Sequence, residues 1–417
     1  MREDDDRRGE AFVGAAPAPE QIAAAVASVF RDEAGRVTAA LTRRFGDYCL
    51  ADDATQDALL AALERWPRDG IPNRPGGWLT TVATRRALNR VNRDGRYEGK
   101  LAFLGRPIET GGDDRLRLIF TCCHPALARD AQVALTLRSV CGFTTTEIAR
   151  AFLASEAAVA QRIVRAKRKI RQAGIPYRVP AARELGDRLE EVLAVLYLMF
   201  NEGHLSTGHV PPFRRNLSEE ALWLAELVSR LLPADPEPIG LVALMKLHLA
   251  RADARFDASG QMVLLQDQDR SLWRRDLTSD AIRLIERAAA AGKPGPYQIE
   301  AAIAACHAEA ASFINTDWPQ IIALYDMLIQ LTPTPVAQMN RAIALRYVEG
   351  PRRALDELNS LEADLTGYHL FHAARGEMLI ELGEVELARA ARERALRLSR
   401  NAAERHLMFR RLFESMS

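Results

Sequence analysis

The stretch from Phe143 to Arg171 reads FTTTEIARAFLASEAAVAQRIVRAKRKIR, and its second half gathers side chains suited to nucleic acid. Gln161, Arg162, Arg165, Lys167, Arg168, Lys169 and Arg171 are polar or cationic, and Glu156 is the sole acid between Ser155 and Arg178. The leading residues Glu156, Ala157 and Gln161 are short or amide-bearing, as base edges require. The cations that follow suit phosphates. Such groups need a rigid frame. Thr146, Ile148, Ala149 and Phe152 have the spacing of a short amphipathic helix, opened by threonines with Glu147 in its first turn. Ser155 is placed to cap a second helix, whose apolar positions Ala158, Val159, Ile163 and Ile170 recur at helical spacing. Two short helices joined by a tight turn make a helix-turn-helix. A solvated basic helix face is the plain alternative, and the helix-turn-helix frame favours duplex DNA.

A second set of groups lies upstream. In ADDATQDALLAALERW, 51–66, Asp52 or Asp53 can cap a helix with Leu59, Leu60 and Leu63 as its buried stripe. Asp53, Gln56, Asp57 and Glu64 fall on its other side. The segment PRDGIPNRPGG is too rich in Pro and Gly for regular structure. From Trp78 a further helix buries Leu79, Val82, Ala83, Leu88 and Val91 and shows Arg85, Arg86, Asn89, Arg90, Arg93 and Arg96. Before it, 21–45 has helical periodicity through Val37, Leu41 and Phe45. Cys122-Cys123-His124 invites a metal reading, but adjacent cysteines lack the usual C-x-x-C geometry. They also follow Leu118, Ile119 and Phe120, as small packed hydrophobes would.

The 417 residues, 48% hydrophobic and 27% charged, predict a helix-rich chain of about two to four compact units. Net charge is only +1, yet cations cluster at 85–106 and 162–178. A DNA-binding part joined to a neutral or acidic part follows. No apolar run approaches the roughly 20 residues of a membrane span, and MREDDDRRGEAFVGAAPAPE reads as a disordered tail, 1–20. The odd count of five cysteines and their irregular spacing predict reduced thiols and a cytoplasmic protein. The absence of a P-loop, nucleophile elbow, zinc pair or dinucleotide fingerprint argues against an enzyme and against a cofactor or metal.

The order of these parts resembles a bacterial RNA polymerase sigma factor of the extracytoplasmic-function, sigma-70-like type. The resemblance is carried by D-x-x-Q-[DE] (Asp53, Gln56, Asp57), W-L-x-x-V-A (Trp78 to Ala83), a basic helix and a later helix-turn-helix. It covers about 21–178 and implies an all-α fold, with region two over 21–96, a linker over 97–124 and region four over 125–178. By resemblance, Asp53, Gln56, Asp57 and Leu60 dock on the clamp helices of the largest subunit of core polymerase, acid against base. The loop 66–77 and the helix after it match the part that captures the downstream minus-ten element. Trp66 and Ile71 would supply an apolar floor for an unstacked base, with Trp78 as a core anchor. Arg85, Arg86, Asn89, Arg90 and Arg93 would supply polar contacts. Arg85 stands where many members carry Asn, and Asn89 where many carry Asp. The recognition helix, through Ser155, Glu156, Ala158, Gln161, Arg162, Arg165, Lys167 and Arg168, matches the reader of the upstream minus-thirty-five promoter element.

RLRLIFTCCHPAL (115–127) and LYLMFNEGH (196–204) resemble a subgroup with a long C-terminal helical extension. Here that part is a helical extension over 185–310 and tetratricopeptide-like repeats over 311–417. The latter recur at 34 positions, setting Asn340 over Ala374, Leu345 over Leu379 and Ala354 over Ala388. Stacked repeats offer a groove to a protein or peptide partner. The resemblance therefore implies a sigma factor that directs core polymerase to promoters, regulated by its C-terminal part. A ligand- or protein-responsive regulator that binds operator DNA without polymerase is the competing reading.

Overall fold

The structure is a computed structural model that describes residues 33–93, 114–152, 154–205, 217–257, 259–399 and 405–410. The tail expected over 1–20, the helix start at 21–32 and linker residues 97–113 lie outside them. Among the described residues the fold is all-α, with an isolated bridge between Phe256 and Met262. The chain divides into two units, Met1–Met199 and Phe200–Ser417.

In the first unit, helix α1 spans 33–45 and buries Val37, Leu41 and Phe45 as expected. Gly46, at φ 69, turns the chain into α2, Tyr48–Asp69. This helix starts before the expected Asp52 or Asp53 because Asp47 caps it, accepting from Leu50 N at 3.0 Å. Its buried face is centred on alanines: Ala51, Ala54, Ala58, Ala61 and Ala62, flanked by Leu59 and Trp66. The expected leucine stripe is thereby corrected, since Leu60 is 59% and Leu63 43% exposed. At 100° per residue Leu60 lies opposite the alanine row. Helix α3, Pro75–Arg93, opens on a proline whose missing N–H costs nothing in a first turn. Leu79, Ala83 and Ala87 close the core against α1 and α2.

Helix α4, Asp114–Cys122, occupies part of the expected linker. Leu116, Leu118, Ile119 and Phe120 are buried, and four apolar side chains within one helix favour packing over an extended path. Helices α5 (Arg129–Ser139), α6 (Thr145–Ala151) and α7 (Glu156–Gln172) follow. Thr144 and Glu147 form a reciprocal capping box at the start of α6. Val159, Ile163, Ala166 and Ile170 seat α7 on the core. Helix α8, Ala182–Leu205, begins in this unit. There Arg188 donates to Phe120 O, and Glu191 lies 2.9 Å from Arg129.

The second unit is a succession of helices: α9 (Leu217–Leu231), α10 (Glu237–Ala250), α11 (Arg275–Ala289), α12 (Pro296–Glu309), α13 (Trp318–Leu331), α14 (Pro335–Glu349), α15 (Pro351–Asn359), α16 (Glu362–Leu365), α17 (His369–Glu381) and α18 (Val385–Leu398). Residues 34 apart have matching burial: Leu345 and Leu379 at 2% and 3%, Ala354 and Ala388 both at 0%. Gly350 and Gly383, both at positive φ, supply the tight turns of the two helix pairs. Between α10 and α11, Arg270 is anchored by the carbonyls of His307 and Ala310 at the end of α12.

Candidate nucleic-acid and polymerase interface

Helix α7 presents a long outward face. Ser155 caps it, accepting from Ala158 N at 3.2 Å. Ser155, Glu156, Ala158, Gln161, Arg165 and Arg168 are all exposed. Ala158 therefore faces out, and is not part of the buried stripe. Two of the expected contacts turn elsewhere. Arg162, 29% exposed, lies 3.4 Å from Asp130 on α5. Lys167 is only 15% exposed and reaches back to α2, so as placed it is not a phosphate contact. Position decides this: Lys167 follows buried Ala166 at the flank of the apolar stripe, where Lys169 and Arg171 point to solvent. Sequence reading passed over Val164, which is 64% exposed between Gln161 and Arg168. A β-branched apolar residue on a polar face was the signal.

The α2–α3 surface also differs in detail from expectation. Trp66 is 1% exposed and packs edge-on against Trp78, ring centroids 5.6 Å apart. It is a core residue and offers no floor to an unstacked base. Trp78 is half-buried, so the two tryptophans share the anchoring expected of Trp78 alone. Ile71 is half-buried against the same core. Arg85, Arg86 and Asn89 are exposed along α3, while the side chain of Arg93 lies outside the described residues. Arg90 is engaged, 3.1 Å from Asp53 and 2.8 Å from Asp57. On α2, Gln56 is half-exposed, and Leu60 and Leu63 add an apolar strip beside the acids.

The two surfaces are joined by a polar network. Tyr48 Oη lies 2.6 Å from Ser139 Oγ, which donates to Asp52 Oδ1 at 2.7 Å. Lys167 Nζ lies 2.6 Å from Asp52 Oδ2 and 2.7 Å from Asp53 Oδ1. Burial works against the Lys167 ammonium, but Asp52 and then Asp53 outweigh it and raise its pKa above the ordinary lysine value. Tyr177 donates to Ala39 O at 3.0 Å. Gly35 is also close-packed, since a Cβ there would sit 2.8 Å from Val140 O.

Cys122 and Cys123 are fully buried. Burial pushes the Cys122 thiol well up and Cys123 to about 11, the chemistry of packed, unreactive thiols. Among the described residues no group of three His, Cys, Asp or Glu is placed to hold a metal. No described helix is long and apolar enough to cross a membrane.

Residues 29–97 match the family model of sigma-70 region 2, and 117–170 that of sigma-70 region 4. Residues 188–289 match a family of unknown function, DUF6596. A relative in Rhizobium meliloti (strain 1021), "Uncharacterized protein R00370", is 44% identical over 379 residues, 88% of this chain and 90% of the relative. No solved structure matches the chain.

Proposed function

Since this chain belongs to the sigma-70-like factors, in one family with its Rhizobium meliloti relative, we propose that it directs core RNA polymerase to its promoters as an extracytoplasmic-function sigma factor. The observation that carries this reading is the outward face of α2. Asp53, Gln56, Asp57, Leu60 and Leu63 set two carboxylates, both beside Arg90, against two exposed leucines in the same unit as the exposed recognition helix. An acidic strip with an apolar seam suits a basic coiled coil such as the polymerase clamp helices. An operator-binding regulator has no use for it.

Within this reading, Ser155, Glu156, Ala158, Gln161, Arg165 and Arg168 engage the upstream element, with Arg162 at their margin. Arg85, Arg86 and Asn89 engage the downstream element. The C-terminal unit, with tetratricopeptide-like repeats over 311–417, regulates this activity, and its repeat groove takes a protein or peptide. The 34-residue match in burial supports the repeats. Two measurements test the function: co-purification with core polymerase, and run-off transcription by the reconstituted holoenzyme on fragments of the source genome. Failure to bind core polymerase rejects it.

A further inference from the structure

Around the end of α12 and the start of α13, four buried polar atoms have no hydrogen-bond partner among the described residues: Arg270 Nη2, Trp273 Nε1, His307 Nδ1 and Thr316 Oγ1. Arg270 and Trp273 come from the short turns between α10 and α11. The Arg270 guanidinium lies 4.7 Å above the Trp273 ring, and its Nη1 donates to His307 O and, at 2.8 Å, to Ala310 O. The His307 ring packs edge-on against Trp318, 5.3 Å away, and Thr316 precedes Trp318 by two residues. Trp273 is 8% and Thr316 5% exposed, so bulk water does not serve their donors. A fold keeps such buried, unmatched groups only for a reason.

Charge points the same way. Burial, then Arg251 at the end of α10, then Arg270 push the pKa of His307 down to about 4, so two guanidiniums act on one neutral imidazole. Among the described residues no carboxylate pairs with Arg270. Asp269 and Asp317, the acids adjoining Arg270 and Thr316 in the chain, turn to helix starts. They accept from Ser271 N at 2.8 Å and from Gln320 N at 3.0 Å.

Capping of α12 explains only part of this. Carbonyls at a helix C-terminus are an ordinary seat for an arginine, yet here they take Nη1 alone. Nη2 and the Trp273 N–H, within one stacked pair, stay unused. All four atoms can donate, and a negatively charged oxygen group is what accepts from such a set. Hydrogen bonds to it are roughly twice as strong as neutral ones, and arginine suits phosphate and carboxylate alike.

We propose that Arg270, Trp273, His307 and Thr316 form a binding site for the anionic oxygen group, phosphate or carboxylate, of a small ligand of the C-terminal unit. Arg270 supplies charge and Nη2, Trp273 an N–H, Thr316 a hydroxyl, and His307 the Nδ1 proton of its neutral ring. Arg251 adds to the positive field. None of these residues belongs to the promoter- or polymerase-binding sets, so the site stands whether or not the sigma-factor reading holds.

The test uses the full chain with its five tryptophans replaced by 5-fluorotryptophan. Trp273→Phe, Trp318→Phe and Trp66→Phe assign three fluorine resonances, the last as a control in the first unit. Sodium phosphate and sodium acetate are each exchanged for sodium chloride at constant ionic strength near neutral pH, up to about 10 mM, past the millimolar Kd of a weak site. At least one of them should shift the Trp273 and Trp318 resonances saturably and leave Trp66 in place. The tighter of the two identifies the ligand's group as phosphate or carboxylate. Thr316→Val keeps the shape of the side chain and removes the hydroxyl, so it should fold as wild type and bind roughly tenfold more weakly. Arg270→Gln should abolish binding, and if loss of the α12 anchor unfolds it, Thr316→Val decides. No shift at Trp273 with either anion would overturn the site. Equal affinity in wild type and Thr316→Val would do the same, as would a shift at Trp66 as large as that at Trp273.

Discussion

Val164 and Glu300 show how one side chain can be read twice, once for its pattern and once for its surroundings. Val164 stands outward beside Gln161, so its methyl groups are available to a thymine methyl in the major groove. Burying one methyl-sized group is worth about 0.8 kcal/mol, roughly fourfold in affinity. Replacing thymines of the upstream element by deoxyuridine, one at a time, should weaken wild-type holoenzyme about fourfold at one step and leave Val164→Ala unaffected there. A uniform response in both proteins would remove Val164 from base readout. Glu300 is pushed up to about 7, by burial first and by Glu237 second. A carboxyl raised in the folded state favours folding while it holds its proton. That advantage disappears as pH rises from its unfolded value, about 4.3, towards 7. Glu300→Gln should therefore stabilise the protein by about 3–4 kcal/mol at pH 8 and barely at pH 4, as read from thermal melts. Residues of this kind are poorly legible in sequence. Trp66 and Trp78 both look like anchors or floors. Only the alanine row beneath Trp66 decides that it is the more deeply buried. Lys167 belongs to a run of cations, and its different direction comes from a partner 114 residues away.

At the scale of elements, the helices with a clear stop signal and a strong apolar period were legible. The helix-turn-helix is marked by Thr144 and Glu147 at one start and Ser155 at the next, and both caps are present. Helix α2 was legible in kind but rotated in detail, because its buried face is made of alanines that hydropathy ranks below leucine. Helix α11 escaped notice altogether. Its apolar positions Leu277, Ala281, Leu284 and Ala288 recur at helical spacing, but Arg274 at its start gives no side-chain capping bond and a segment of short turns precedes it. The rotation of α2 sets up a sharp test of docking. Asp57→Arg should abolish assembly with core polymerase, since like charge meets a basic surface. It also repels Arg90, 2.8 Å away. Leu60→Asp is the cleaner variant, because Leu60 is 59% exposed and its loss opens no core cavity. Both variants should keep wild-type circular dichroism while losing polymerase by more than tenfold. Full assembly by Leu60→Asp would mean that this strip is not the docking face.

At the scale of the molecule, the boundary between the two units decides how regulation must be tested. Motif positions suggest a cut after Arg178, where the region-four resemblance ends. The structure argues against that cut. Arg188 donates to the carbonyl of Phe120 and Glu191 pairs with Arg129, so the first half of α8 completes the region-four fold. Removing it takes Arg188 from the carbonyl and the ring face of Phe120 and leaves Arg129 without its carboxylate. A fragment ending at Arg178 would thus lose activity through instability, and the loss would imitate a positive role for the C-terminal unit. A fragment ending at Met199, the limit of the first unit, separates the two effects. It should melt cooperatively and bind core polymerase like the full chain, whereas the shorter one should melt lower. Run-off transcription from one promoter then reads regulation alone. On the proposed reading the Met199 fragment and the full chain differ, upward if the C-terminal unit masks the DNA-binding surfaces and downward if it supports them. Equal transcription by the two would reject a regulatory role for 200–417.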